Sequence, residues 1–177
     1  MSSHYFSVAD LGICIRFAHS KVNSMALLPS LAPFAAEAHG QFLLTLTIDD
    51  SLLPAEGRKL VRKFDTGNGD TLVYTLPDGG YQYIIRNTAG ADCCLLVCNK
   101  MFTDCRCALA GDELMRSFGL NNALMMAFAF AASYHQTVLM HASTVMVTAT
   151  QTAYPFTASS GTGKSTHVSL WLKHIAG

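Results

Sequence analysis

Charged residues are scarce in this sequence, and the two signs are balanced. Only 14% of the 177 residues are Asp, Glu, Lys or Arg, and the formal net charge is zero at pH 7. Neither a run of charge nor a basic patch is visible, so the sequence predicts no nucleic-acid partner and no anionic membrane partner. Half of the residues are hydrophobic, which supplies enough apolar surface for a buried core.

Long apolar runs are also missing. The unbroken apolar run 123–132 covers ten residues, whereas a membrane-spanning helix needs about 20. We therefore expect a buried core helix at this position. The segment Met1 to Ala9 has neither the basic start nor the apolar core of a signal peptide, and we expect a cytoplasmic protein.

The C-x-x-C pairs of common zinc modules are absent, although the sequence contains six cysteines. The cysteines are therefore predicted to be reduced and to act as small hydrophobes in adjacent strands. A zinc site is the less favoured alternative. Its ligands would come from Cys93, Cys94, Cys98, Cys105 and Cys107.

Residues 1–110 consist mostly of short β-type segments separated by turn residues. Apolar and polar or β-branched residues alternate within these segments, and Thr66-Gly-Asn-Gly69 and Pro77–Gly80 are typical turns. Their regular spacing predicts an antiparallel sheet. The segments are 4–18, 41–48, 59–65, 70–76, 80–86, 92–98 and 102–109.

The pattern changes at Gly111. Residues 112–134 predict a helix, with Asp112 and Glu113 at its positive end and with a division at Gly119 or at Asn121-Asn122. Strands are then predicted over 137–140, 144–148 and 153–157. The expected organisation is a β-rich region, 1–110, followed by the start of an α/β nucleotide-binding core, 111–177, in an α+β or α/β chain.

Residues 158–165 read Ala-Ser-Ser-Gly-Thr-Gly-Lys-Ser, a phosphate-binding loop with Ala at the first glycine position. The glycines permit positive φ, the backbone N–H groups form an anion site at a helix start, and the lysine reaches the phosphates. A Gly/Ser-rich turn is the bland alternative. The predicted nucleotide-binding residues are Ser159, Ser160, Gly161, Thr162, Gly163, Lys164, Ser165 and Thr166.

Residues Ser159–Thr166 resemble the loop of HPr kinase/phosphorylase-like proteins and of the related ATP-dependent phosphoenolpyruvate carboxykinases. Upstream, Leu139-Met-His-Ala-Ser143 looks like the His-x-Ser segment of HPr kinase-like proteins, and the resemblance covers 137–175. It implies phosphoryl transfer from ATP to a serine or to a small-molecule hydroxyl. By resemblance, Lys164 and His141 would be catalytic and Ser165 would hold Mg²⁺. A His141 that only bonds to backbone is the equal alternative.

The sequence departs from that family at Pro155, which removes a donor from the strand before the loop, and at Ala158. No Asp or Glu follows Glu113, whereas the family's metal-binding and base aspartates follow the loop helix. We therefore expect a chain truncated after that helix. The alternatives are a non-catalytic nucleotide-binding or interaction module, or a binding role of the β-rich half.

The segment after the loop predicts a helix with apolar residues on one face. Such a helix normally packs on a sheet with a parallel strand beyond it, and no such strand follows in this sequence. We therefore expect self-association, through exchange of the C-terminal helix. The apolar face consists of Val168, Trp171, Leu172 and Ile175.

Overall fold

The computed structural model describes residues 2–18, 22–38, 40–65, 67 and 69–175 of an α+β protein. The chain divides into two units, Met1–Thr137 and Val138–Gly177. The sequence indicated a change of organisation at Gly111. The structure instead groups the long helix that follows Gly111 with the first unit, because this helix packs on the sheet of that unit.

The first unit is built on one sheet of eight strands in the order β1-β2-β3-β8-β7-β6-β5-β4. Two 3₁₀ segments, Met25–Leu27 and Pro29–Phe34, lie between β2 and β3. The strands are β1 Ser2–Val8, β2 Leu11–Phe17, β3 Leu44–Ile48, β4 Lys59–Asp65, β5 Asp70–Thr75, β6 Tyr81–Arg86, β7 Asp92–Cys98 and β8 Asp104–Leu109.

The sheet is mixed, which corrects the prediction of an antiparallel sheet. β3 runs parallel to both of its neighbours, β2 and β8, and the other pairs are antiparallel. A parallel neighbour needs a crossover of a dozen or more residues. The chain between β2 and β3, which contains the two 3₁₀ segments, is long enough for this crossover. The predicted turn at 66–69 joins β4 to β5, but Thr66 and Asn68 lie outside the described residues.

The core lies between one face of this sheet and helix α1, Glu113–Ser133. Alternate residues of the central strands point to this face; examples are Leu44, Leu46 and Ile48 of β3, which are fully buried. α1 is the core helix predicted at 123–132. Within the ranges that the structure describes, no helix is both long and apolar enough to cross a bilayer.

α1 is one continuous helix, so the predicted division at Gly119 or at Asn121-Asn122 is wrong. Gly119 has a packing role instead, because a Cβ atom there would lie 2.7 Å from the carbonyl oxygen of Cys93 on β7. The glycine thus brings α1 into close contact with the sheet. At the start of the helix, Asp112 caps α1 by accepting a hydrogen bond from the N–H of Met115.

Asp50 connects α1 to the ends of two strands. Its Oδ2 accepts a hydrogen bond from Arg116 of α1 at 2.9 Å and another from Asn23 at 2.9 Å. Its Oδ1 accepts one from the backbone N–H of Leu109 at 3.0 Å. The carboxylate therefore fixes the first turns of α1 against β8 and the loop after β3.

The six cysteines are buried and free. Cys98 lies directly opposite Cys105 across the β7–β8 pair. Burial and the neighbouring thiols raise the pKa of Cys94 and Cys98 well above the ordinary value. Among the described residues, no group of three or more His, Cys, Asp or Glu side chains could hold a metal ion.

The second unit is a two-stranded antiparallel sheet with one helix. Its elements are β9, Ala142–Val147, β10, Thr152–Thr157, and α2, Lys164–His174. The strand predicted over 137–140 does not form, and these residues have irregular backbone structure. Val145 is the single buried hydrophobic residue in the described part of this unit.

Candidate phosphate-binding site

The predicted loop follows β10 directly and ends where α2 begins, at Lys164. Pro155 lies opposite Thr144 in the β9–β10 pair. Within the described residues β10 is paired on one side only, and proline is tolerated on such an edge strand. Pro155 is therefore compatible with the strand that leads into the loop.

Gly161 and Gly163 adopt the left-handed backbone conformation. Their φ angles are +80° and +87°, and a Cβ atom at either position would meet nothing within 4 Å. The backbone conformation, rather than a lack of space, is thus the reason why glycine suits these positions. The loop also contains a hydrogen bond from Thr162 Oγ1 to the carbonyl oxygen of Ser159, at 2.9 Å.

The first turn of α2 presents backbone N–H groups that the helix itself does not use. Gly163 is the N-cap residue, and no side chain caps the helix there. The N–H of His167 donates to the carbonyl oxygen of Gly163 at 2.8 Å, so the preceding N–H groups have no partner within the helix. Such a helix start attracts an anion.

Lys164 spans the loop. Its Nζ atom donates hydrogen bonds to the carbonyl oxygens of Ala158, at 2.9 Å, and of Ser159, at 3.0 Å. Both bonds join the start of α2 to the entry of the loop. The ammonium group is therefore held at the entry of the loop, where its charge has the same sign as the partial charge of the helix start.

Ser165 contacts the segment that carries the predicted His-x-Ser motif. Its hydroxyl lies 3.5 Å from the hydroxyl of Ser143 on β9. His141 is exposed and comes immediately before β9, so this contact places the segment 141–143 next to the first turn of α2. Thr166 and the loop residues Ser159 to Gly163 are exposed.

A cavity of about 470 Å³ opens beside the loop. Phe156 and His167 form part of its wall, with ring centroids 4.5 Å apart in an edge-to-face arrangement. His141 does not belong to the lining formed by the described residues. The lining consists of Pro155, Phe156, Thr157, Ala158, Thr162, Gly163, Lys164 and His167.

The sequence did not point to this role of Phe156 and His167. His167 follows Lys164 by three residues, a spacing that puts both on the same side of a helix. This spacing could have identified His167 as a neighbour of Lys164. Its contact with Phe156 could not be predicted, because it depends on how α2 packs against β10. Trp171, one turn further along α2, stacks on Tyr154 at a centroid distance of 5.4 Å.

The oxygen ligands near the loop are hydroxyl and carbonyl groups. Residues 138–175 contain no Asp or Glu, and Mg²⁺ prefers oxygen ligands and retains several waters. Ser165 and Ser143 fit such an ion as hydroxyl ligands. A bound anion would have to supply the negative charge, since these residues do not.

No protein-family model matches the chain, and no curated protein and no solved structure is significantly similar to it.

Proposed function

We propose that residues 158–166 bind the phosphates of ATP together with Mg²⁺. The observation that carries the proposal is the position of Lys164, whose ammonium group bridges the entry of the loop while Gly161 and Gly163 turn the backbone. An anion bound in the loop would accept hydrogen bonds from the free amides of the first turn of α2. It would also draw Lys164 away from its two carbonyl partners.

The reaction we propose is phosphoryl transfer from the nucleotide to a serine of a protein or to a small-molecule hydroxyl, as in the HPr kinase-like proteins that the motif resembles. Lys164 and the loop amides would stabilise charge on the phosphoryl group that is transferred. Bound Mg²⁺ would neutralise phosphate charge, with Ser165 as its protein ligand. His141 would lie near the same end of the loop, through the contact of Ser143 with Ser165.

A second function, nucleotide binding without catalysis, is favoured by one specific feature. No carboxylate occurs in the second unit between 138 and 175, so these residues contain neither a carboxylate base nor a carboxylate ligand for the metal. In this alternative the loop binds the nucleotide and the unit acts as an interaction module. In this alternative no phosphoryl group is transferred, so the protein has no phosphate acceptor.

Calorimetric titration of Mg-ATP into the whole chain tests the shared part of both functions. We expect saturable binding that Lys164→Ala weakens by at least about tenfold, since the substitution removes a charge-assisted bond to phosphate. Lys173→Ala is the matched control, because Lys173 has the same charge and is exposed in the last turn of the same helix. No binding by the unmodified chain, or equal losses in the two variants, would reject the proposal.

A measurement of ADP release distinguishes phosphoryl transfer from nucleotide binding without catalysis. Turnover with a panel of peptides that contain serine, dependent on Lys164, would support phosphoryl transfer. Binding without turnover would support the non-catalytic module.

A further inference from the structure

Strand β4 lies at the end of the sheet and is exposed along its whole length. Within the described residues its backbone pairs on one side only, with β5. Each of its seven residues is exposed. α1 packs mainly on β7 and β8, and to a lesser extent on β3 and β6, so β4 lies beyond the part of the sheet that the helix covers.

The exposed side chains of β4 include large apolar groups. Leu60 and Val61 are each 60% exposed and Phe64 is 45% exposed. An edge strand with free N–H and C=O groups is a template for a further strand. An added strand would satisfy these backbone groups and cover the apolar side chains on both faces at once.

Four of the 12 Lys and Arg residues lie at 58, 59, 62 and 63, which corrects the expectation that the sequence contains no basic patch. Lys63 pairs with Asp70 at 2.6 Å, and both side chains are partly exposed. Arg62 lies over the ring of Phe64, 4.9 Å from its centroid. The cluster, which we call the basic edge, consists of Arg58, Lys59, Arg62 and Lys63.

The charges of the basic edge oppose pairing of two copies of this strand. In an antiparallel pairing of two copies of β4, the cationic residues at 58, 59, 62 and 63 of one copy would lie close to those of the other, and like charges close together across two strands destabilise a sheet. The bulge between Leu60 and Arg62 further disturbs a regular pairing of equal strands. Charged edges of this kind prevent self-aggregation, but they exclude only partners of the same sign.

We propose that β4 is the docking site for an extended acidic segment of a partner protein, which joins the sheet as an added edge strand. Main-chain hydrogen bonds to β4 hold the segment, and its carboxylates face the basic edge. Its apolar side chains cover Leu60, Val61 and Phe64. This site belongs to the first unit and is independent of the phosphate loop.

The probe for this site is a capped, fluorescein-labelled peptide of alternating glutamate and valine, titrated with the whole chain and followed by anisotropy. We expect saturable binding that weakens as salt is raised, because the charges are exposed and screened. Lys59→Glu combined with Arg62→Glu is expected to weaken binding by at least about tenfold, since these residues lie on one face of β4, opposite Thr75 and Val73 of β5, and two attractive contacts become repulsive. Lys100→Glu combined with Lys173→Glu, the charge-matched control, is expected to bind normally.

Two further measurements locate the binding and do not depend on a variant. Amide exchange in Lys59–Asp65 is expected to slow in the complex, because the free N–H groups of β4 become hydrogen-bonded. A peptide of alternating lysine and valine is expected not to bind. The proposal is rejected by any of three results: no saturable binding of the acidic peptide, equal binding of the basic peptide, or protection of amides elsewhere without protection of β4.

Discussion

The hydroxyl groups of Ser143 and Ser165 lie 3.5 Å apart, one on β9 and the other in the first turn of α2. This contact brings a strand residue to the helix start at which we propose phosphate binding. Two hydroxyl oxygens so close together are suited to share one cation or one ordered water. The pair therefore provides a test of how the proposed site uses Mg²⁺.

Ser165→Ala is expected to weaken binding of Mg-ATP by about tenfold and to change binding of metal-free ATP little, because the hydroxyl would contact the metal rather than the phosphates. Ser143→Ala should give a smaller loss of the same kind. The measurement is titration calorimetry with and without Mg²⁺. Ser169→Ala is the control, since that hydroxyl donates to the carbonyl oxygen of Ser165 and lies one turn further along α2. An equal loss in the presence and absence of Mg²⁺ would contradict this assignment.

Gly119→Ala is expected to lower the free energy of unfolding by about 1–3 kcal/mol, as overpacking does. The new Cβ would lie 2.7 Å from the carbonyl oxygen of Cys93, so α1 would have to move away from β7. Helix propensity alone predicts the opposite, a gain of about 1 kcal/mol. Urea denaturation of Gly119→Ala shows whether the free energy of unfolding falls or rises. Asn121→Ala, at an exposed position two residues further along α1, should be neutral or stabilising by about 0.5 kcal/mol.

The strands of the first unit could largely be predicted, because the alternation of apolar side chains is visible in the local sequence. The position of α1 could be predicted from its apolar run and from Asp112 at its start. The order of the strands could not. β3 lies between β2 and β8, and nothing in Leu44–Ile48 identifies these neighbours, since alternation specifies a face and not a partner.

The candidate site, too, could be predicted only in part from the sequence. The left-handed conformation of Gly161 and Gly163 follows from the spacing of the loop residues, and the structure shows it. That Lys164 reaches a phosphate stays a prediction, because its Nζ atom donates to two backbone carbonyl groups of the loop. The wall formed by Phe156 and His167 depends on how α2 packs against β10, which no local pattern specifies. The irregular segment 137–140 was wrongly predicted as a strand, because apolar β-type residues form a strand only where a partner strand exists.

Stability is expected to fall at alkaline pH. Burial raises the pKa of Cys94 and Cys98, so both thiols stay protonated in the folded state. In the unfolded state they ionise above their ordinary pKa of about 8.5. The stabilisation is therefore complete below that pH and is lost as the pH rises further, by about 1.4 kcal/mol per pH unit for each group.

Urea denaturation between about pH 7 and about pH 10 measures this dependence. Cys98→Ala should reduce the slope above about pH 8.5, because it removes one of the buried thiols. A free energy of unfolding that stays constant over this range would contradict the prediction.

Self-association through the second unit is the remaining prediction. Leu172 of α2 is 57% exposed, and Ile175, the residue that follows α2, is 66% exposed. Val145 is the single buried hydrophobic residue among the described residues of the unit. One buried hydrophobic residue is a small core, and a further apolar contact would help to offset the conformational entropy of ordering the unit. A second copy that covers the exposed side of α2 would bury these side chains, each worth about 1.5–3 kcal/mol when fully buried.

Light scattering and sedimentation at increasing concentration should therefore detect a dimer or larger species. Leu172→Gln combined with Ile175→Gln is expected to shift the population to monomer, since polar side chains gain nothing from burial in that contact. Leu53→Gln is the control, because Leu53 is 79% exposed in the first unit and should leave the assembly unchanged. A chain that stays monomeric at high concentration would show that α2 needs no such cover.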